Sequence, residues 1–161
     1  MINKQDLLKK AITLSEVYGN KLEIVVYTQG VGISARLRLE KLGFVTRAKD
    51  FAYDLYKDLI NRRLNDESFA WKNDNRAGLL WLDDLYEITG DKKNIEPIID
   101  QANMFIDTDN SILDDNIQVE DQFFVSAILG RAFKYTNDNK YLDFMISHLL
   151  NSPLQKKNGI Y

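Results

Sequence analysis

The feature that most constrains this chain is an internal repeat of 47 residues. Thr89–Asn94 reads T-G-D-K-K-N, and Thr136–Tyr141 reads T-N-D-N-K-Y one period later. A fainter copy, Leu42–Arg47, lies one period upstream and sets Gly43 opposite Gly90. The apolar residues that follow each copy keep the same register. Ala48, Phe51, Ala52, Leu55 and Leu59 become Ile95, Ile98, Ile99, Ala102 and Ile106, then Leu142, Met145, Ile146 and Leu149. Each set has the i, i+3, i+4, i+7 spacing of one helical face. A pattern that survives two shifts of 47 specifies one repeated structural unit.

Each unit reads as a hairpin of two helices. The first helix is apolar nearly all round: Leu79-Leu80-Trp81-Leu82 with Leu85 and Tyr86, then Phe123-Phe124 with Ile128, Leu129 and Phe133. Such a helix must be buried on most sides, while the one-sided helix after it sits outside. Gly90 suits the left-handed residue that ends the inner helix, and Asp91 suits the cap of the outer one. Pro97 is expected past the first turn of that outer helix, with a kink. Buried helices ringed by amphipathic ones predict an all-α fold, an (α/α) toroid built of helical hairpins. The β-branched stretch Glu23–Thr28 is too short to outweigh the repeat. The expected order is an N-terminal helix over 1–20 and hairpins over about 24–62, 74–107 and 118–150, in a single domain or partial domain spanning 1–161. At this period a closed ring of six hairpins needs about 282 residues, so 161 residues encode about half of one. The chain is then a fragment, or its open edge meets a second copy, or something else covers that edge.

Composition narrows the chemistry. Apolar residues make up 45% and charged residues 28%, a globular balance that excludes disorder. The absence of cysteine removes disulfides, thiol nucleophiles and cysteine-based metal sites, and a single histidine leaves little for a transition metal. A net charge of -3 gives no basic footprint for nucleic acid, and Arg62-Arg63 and Lys156-Lys157 are isolated pairs. No apolar run approaches a membrane span, and the first twenty residues lack a secretory pattern, so a cytoplasmic protein is expected.

Four segments carry a resemblance to a known family. They are Tyr27-Thr28-Gln29-Gly30-Val31; Asp74-Asn75-Arg76-Ala77-Gly78 with Leu79–Leu82 and the Thr89-Gly90-Asp91 turn; Asp121-Gln122-Phe123-Phe124; and Leu154–Tyr161. They resemble, in order, the Y-x-Q-G, D-x-N-x-G, D-x-(F/L)-(F/Y)-M and L-x-x-x-x-G-L-(F/Y) motifs of the unsaturated rhamnogalacturonyl and unsaturated glucuronyl hydrolases. The likeness covers about residues 24–161 and the N-terminal half of such an enzyme. It departs at Val119 and Val125, where the family has tryptophan and methionine, and in the shorter Ser111–Gln118 loop, where the family has a W-H-K segment. The resemblance implies a glycosidase that hydrates the C4=C5 bond of a 4,5-unsaturated uronic acid on an oligosaccharide. The acid protonates C4, water adds at C5, and the hemiketal opens to release the aglycone. It implies no metal or other cofactor, Asp121 as general acid/base, and Asp74 as a second aspartate at the substrate.

The residues themselves leave alternatives open. Asp74 and Asp121 lie one period apart, each expected to precede an inner helix, which suits two carboxylates flanking one sugar. Aspartate is equally a favoured cap, worth about 1 kcal/mol, which a repeat would use twice. Glu120, Phe123 and Phe124 favour the protonated form of Asp121, whereas Lys72, Asn73 and Arg76 favour ionised Asp74. Tyr27, Trp71 and Phe123 offer faces for stacking a sugar, and Arg76 can clasp a uronate carboxylate or form a plain salt bridge. Trp81 reads as core and His148 as an exposed flank residue aligned with Gln101 and Asp54. Asp107, Asp109, Asp114 and Asp115 read as a solvated acidic loop, since they lack the calcium-loop spacing. A second function class stays open, a non-catalytic helical-hairpin module that binds carbohydrate or protein.

Overall fold

The computed structural model describes residues 3–19, 27–65, 78–107, 119–152 and 154. Among these residues there are seven α-helices and no strand, so the fold is all-α. The helices are α1 (Lys4–Gly19), α2 (Tyr27–Lys41), α3 (Ala48–Asn65), α4 (Trp81–Thr89), α5 (Glu96–Asp107), α6 (Val119–Thr136) and α7 (Asn139–Leu150). Short 3-10 turns at Gly78–Leu80 and Lys92–Asn94 precede α4 and α5. None of the helices is long and apolar enough to cross a membrane. Two compact units divide between Asp91 and Lys92, which separates α4 from α5 within the segment 74–107.

The repeat is written into the backbone. Gly43 (φ 78°), Gly90 (φ 70°) and Asn137 (φ 54°) are all left-handed, and each lies 47 residues from the next. Their amides close the preceding helices: Gly90 N–H donates to Tyr86 O at 2.7 Å and Asn137 N–H to Phe133 O at 2.8 Å. The flanking threonines repeat as well. Thr89 Oγ1 donates to Leu85 O at 2.8 Å, and Thr136 Oγ1 donates to Ala132 O at 2.7 Å. Each hydroxyl then accepts the amide two residues on, from Asp91 and Asp138 respectively, at 3.2 Å. A left-handed residue lets the chain reverse while satisfying a terminal carbonyl, and glycine adopts it without strain.

In the first unit α2 packs against α1, α3 and α4, and α3 also touches α4. Helix α2 buries Ile33 and Leu37, α3 buries Ala48 and Ala52, and α4 buries five consecutive residues, Trp81–Leu85. Five in a row exceed one helical turn, so the first half of α4 is enclosed all round, whereas Glu87 in its second half is exposed. Side-chain pairs fix its direction. Arg38 meets Asp84 and Lys41 meets Glu87, so partner numbers rise together and α2 and α4 run parallel.

In the second unit α6 packs against α5 and α7, burying Phe124, Val125, Ile128, Leu129 and Ala132. Only Asn137 and Asp138 separate α6 from α7, and Asp138 Oδ1 caps α7 by accepting the Lys140 amide at 3.0 Å. At the far end Gln122 Nε2 donates to Ser152 Oγ at 2.9 Å. The start of α6 therefore meets the end of α7, and the two form an antiparallel hairpin.

Four expectations are corrected. Pro97 is the second residue of α5, inside its first turn, where a missing amide costs nothing and no kink is needed. Asp91 leads into the 3-10 turn and does not begin α5. Phe123 is 64% exposed, so α6 is not buried on every apolar side; the ring lies edge-on to Phe124. His148 is buried, as are Gln101 and Tyr141. His148 and Tyr141 are seven residues apart and share a stripe, so the buried face of α7 is turned from Ile146, which is 45% exposed.

The left-handed positions yield a test. A Cβ added at Gly90 meets nothing within 4 Å, so a side chain there acts through the backbone alone. Gly90→Ala should cost about 1 kcal/mol, and Asn137→Gly should add a few tenths, in urea unfolding. Equal stability for Gly90→Ala would contradict the assigned conformation.

Candidate functional site

Tyr27 opens α2 as its first residue, and Asp121 is the third residue of α6. Asp121 therefore stands within the first turn and does not precede its helix, because α6 begins two residues earlier at Val119. The helix dipole favours the charged form of a carboxylate carried at such a position. The side chains of Tyr27 and Asp121 lie outside the described residues, as do Trp71, Asp74 and Arg76 altogether. Phe123, one position from Gln122, presents its ring to solvent. Gln122 itself is buried and tied to Ser152, so the first turns of α6 are fixed to the end of α7.

Gln29 and Gly30 of the Tyr27–Val31 segment fall in the first turn of α2; Gly30 is buried and Gln29 half-buried. Gln29 lines a groove of about 800 Å³ between α1 and α2, together with Leu14, Ser15, Val31 and Arg36. Asp107 is exposed at the end of α5, and Asp109, Asp114 and Asp115 lie outside the described residues. Among the described residues no three histidine or acidic side chains converge as a metal site.

The polar cluster that the structure assembles most tightly was not singled out by sequence. Asp84 is buried in the middle of α4 and accepts the Ser34 hydroxyl and, at 2.7 Å, the Arg38 Nε–H. Arg38 Nη2 adds a longer contact of 3.5 Å to the second carboxylate oxygen. Through that hydrogen bond first, and its charge second, Asp84 pushes the Arg38 guanidinium above its ordinary pKa. The signal in the sequence was Asp83-Asp84 inside an apolar run. A carboxylate in a buried helix needs partners, and the parallel neighbour supplies them one repeat earlier. This cluster holds register: it fixes how far α2 and α4 slide past one another.

Comparison of the chain with models of known families, with curated proteins and with solved structures finds no match to any of them.

Removing one member of the cluster tests its weight. Asp84→Ala strands the Ser34 hydroxyl, but Arg38 is 65% exposed and can turn to water. The expected cost is about 1–3 kcal/mol in urea unfolding. Lys41→Ala, at an exposed pair, should cost less than about 1 kcal/mol. Equal effects would remove the distinction between the two pairs.

Proposed function

We propose that this chain is a glycoside hydrolase-like protein acting on oligosaccharides that end in a 4,5-unsaturated uronic acid, by hydration of the C4=C5 double bond. On this reading its helices are hairpins of the (α/α)-toroid type, with α2 and α4 inner and α3 outer in the first unit, and α6 inner with α5 and α7 outer in the second. The observation that supports this reading is the 47-residue register of the left-handed residues Gly43, Gly90 and Asn137, with α2 and α4 parallel and paired at an offset of 46 residues. Parallel inner helices at one repeat spacing are what such a ring is made from. Of the four segments that resemble the unsaturated uronyl hydrolases, Tyr27–Val31 opens α2 and Asp121–Phe124 falls near the start of α6, while Asp74–Ala77 and most of Leu154–Tyr161 lie outside the described residues.

On this reading Asp121 is the acid/base. It gives a proton to C4, water adds to C5, and the hemiketal formed at C5 collapses to free the aglycone. Asp74 is the second aspartate, ionised beside Lys72 and Arg76 in sequence, and orients substrate or water. Tyr27, Trp71 and Phe123 stack on sugar rings, and Arg76 takes the uronate carboxylate in parallel hydrogen bonds. Self-association through an open inner-helix edge is the partnership that this reading calls for.

Turnover is read as loss of the ultraviolet absorbance of the conjugated uronate in polysaccharide-lyase products. Asp121→Asn should lower that rate by about 10²–10⁴ and leave the helical circular dichroism unchanged. Wild-type turnover in Asp121→Asn would overturn the assignment. Saturable oligosaccharide binding without turnover would replace the hydrolase by a carbohydrate-binding module. Sedimentation should show a dimer, and a monomer at high concentration would contradict the shared edge.

A further inference from the structure

The α1–α2 groove combines features that the hydrolase reading does not use. Its walls are largely apolar, formed by Leu14, Val31, Leu39 and Leu42, and three of these are more than half exposed: Leu14 at 58%, Val31 and Leu42 at 67%. Its volume, about 800 Å³, lies within the range of small-molecule sites. Two polar side chains line the same groove with donors that lack partners. Ser15 is 8% exposed, and its Oγ has no hydrogen bond among the described residues. Arg36 Nε and Nη1 are likewise buried without an acceptor, while the guanidinium carbon rests 5.2 Å from the centre of the Phe51 ring.

A guanidinium cannot shed its charge at any ordinary pH, so buried N–H groups without acceptors are costly. Phe51 offsets part of that cost through its ring face but accepts no conventional hydrogen bond. The other cation of the groove, Arg38, is already committed to Asp84. Among the described residues the groove thus holds one uncommitted cation, Arg36, and one uncommitted hydroxyl donor, Ser15, beside an apolar wall. We propose that it binds an amphiphilic carboxylate, an alkyl chain with one terminal carboxylate. The carboxylate lies on Arg36 and Ser15, and the chain lies along Leu14, Val31, Leu39 and Leu42. Neither donor is open to water as it stands, so the acceptor arrives with the ligand and both side chains turn toward it. A sugar acid is the wrong shape of chemistry for this wall, because its hydroxyls would leave water for aliphatic side chains. An alkyl carboxylate satisfies the donors and covers the exposed leucines and valine together.

Calorimetric titration with dodecanoate, and with dodecanol as the uncharged match, tests the assignment below their aggregation limits. Dodecanoate should bind saturably at one site, with dodecanol at least about tenfold weaker for want of the charged hydrogen bonds. Arg36→Gln should cost about tenfold or more, and Ser15→Ala a smaller factor. Because Arg36 stacks on Phe51 and its loss can disturb folding, Ala35→Trp provides a second variant. Ala35 is exposed and lines the groove, so the indole should block binding while leaving the circular dichroism unchanged. Equal affinity for dodecanol, unchanged binding in folded Ala35→Trp, or absence of saturable dodecanoate binding would each overturn the proposal. So would finding that Ala35→Trp abolishes only self-association, since the groove would then be an interface between copies.

Discussion

A helical turn buried on every side can exist in water only if other helices cover it completely, and the first half of α4, Trp81–Leu85, is such a turn. Trp81, Leu82 and Leu85 have no exposed surface. Covering each such side chain contributes about 1.5–3 kcal/mol, and none of that is available to α4 alone. The covering helices α2 and α3 are themselves anchored by small or slender contacts, Ala48 and Ala52 on one and Ile33 and Leu37 on the other. Small residues permit the close approach that full enclosure demands. In the second unit α6 is covered on one side only, with Phe124, Ile128 and Leu129 buried against its neighbours α5 and α7 while Phe123 is exposed.

Apolar burial is not directional, so it enforces enclosure without choosing a register. Register comes from the exceptions inside the apolar surface. Asp84 is a buried carboxylate that Ser34 and Arg38 satisfy, and a slide of α4 along α2 by one turn would leave it bare. Gln122 and Ser152 do the same for α6 and α7. The left-handed residues at Gly43, Gly90 and Asn137 add a third device, setting where each inner helix stops. Enclosure, register and stop signals together explain why an identical spacing of 47 appears in both sequence and backbone.

How far the sequence could be read depended on the kind of force involved. The all-α class, the buried first half of α4 and the turn at Gly90 were legible because periodicity and glycine both act locally. Burial of His148 and Gln101 was not legible. A single polar residue on the edge of an apolar stripe goes inside or outside according to the tilt of its helix, and tilt is set by the neighbours. Pro97 was placed one turn too deep because the 3-10 turn at Lys92–Asn94 delays the start of α5. Asp121 was placed before α6 for the converse reason, since that helix starts early, at Val119. The orphaned donors of Ser15 and Arg36 have no sequence signature at all, because an unmade hydrogen bond is a property of packing.

The central claim is that α2 and α4 run parallel and side by side, with partners 46 residues apart and so within one residue of the repeat, and a cross-link reads this directly. The chain contains no cysteine, so thiols can be introduced singly and in pairs without interference. Lys41 and Glu87 carry an exposed ion pair of 2.7 Å between α2 and α4. With Lys41→Cys and Glu87→Cys combined, a short bismaleimide should bridge the two within one folded chain, seen as an intramolecular link in peptide mass spectrometry. If both thiols react fully with a monofunctional maleimide yet no bridge forms, α2 and α4 do not lie in this register, and the repeat does not build parallel inner helices.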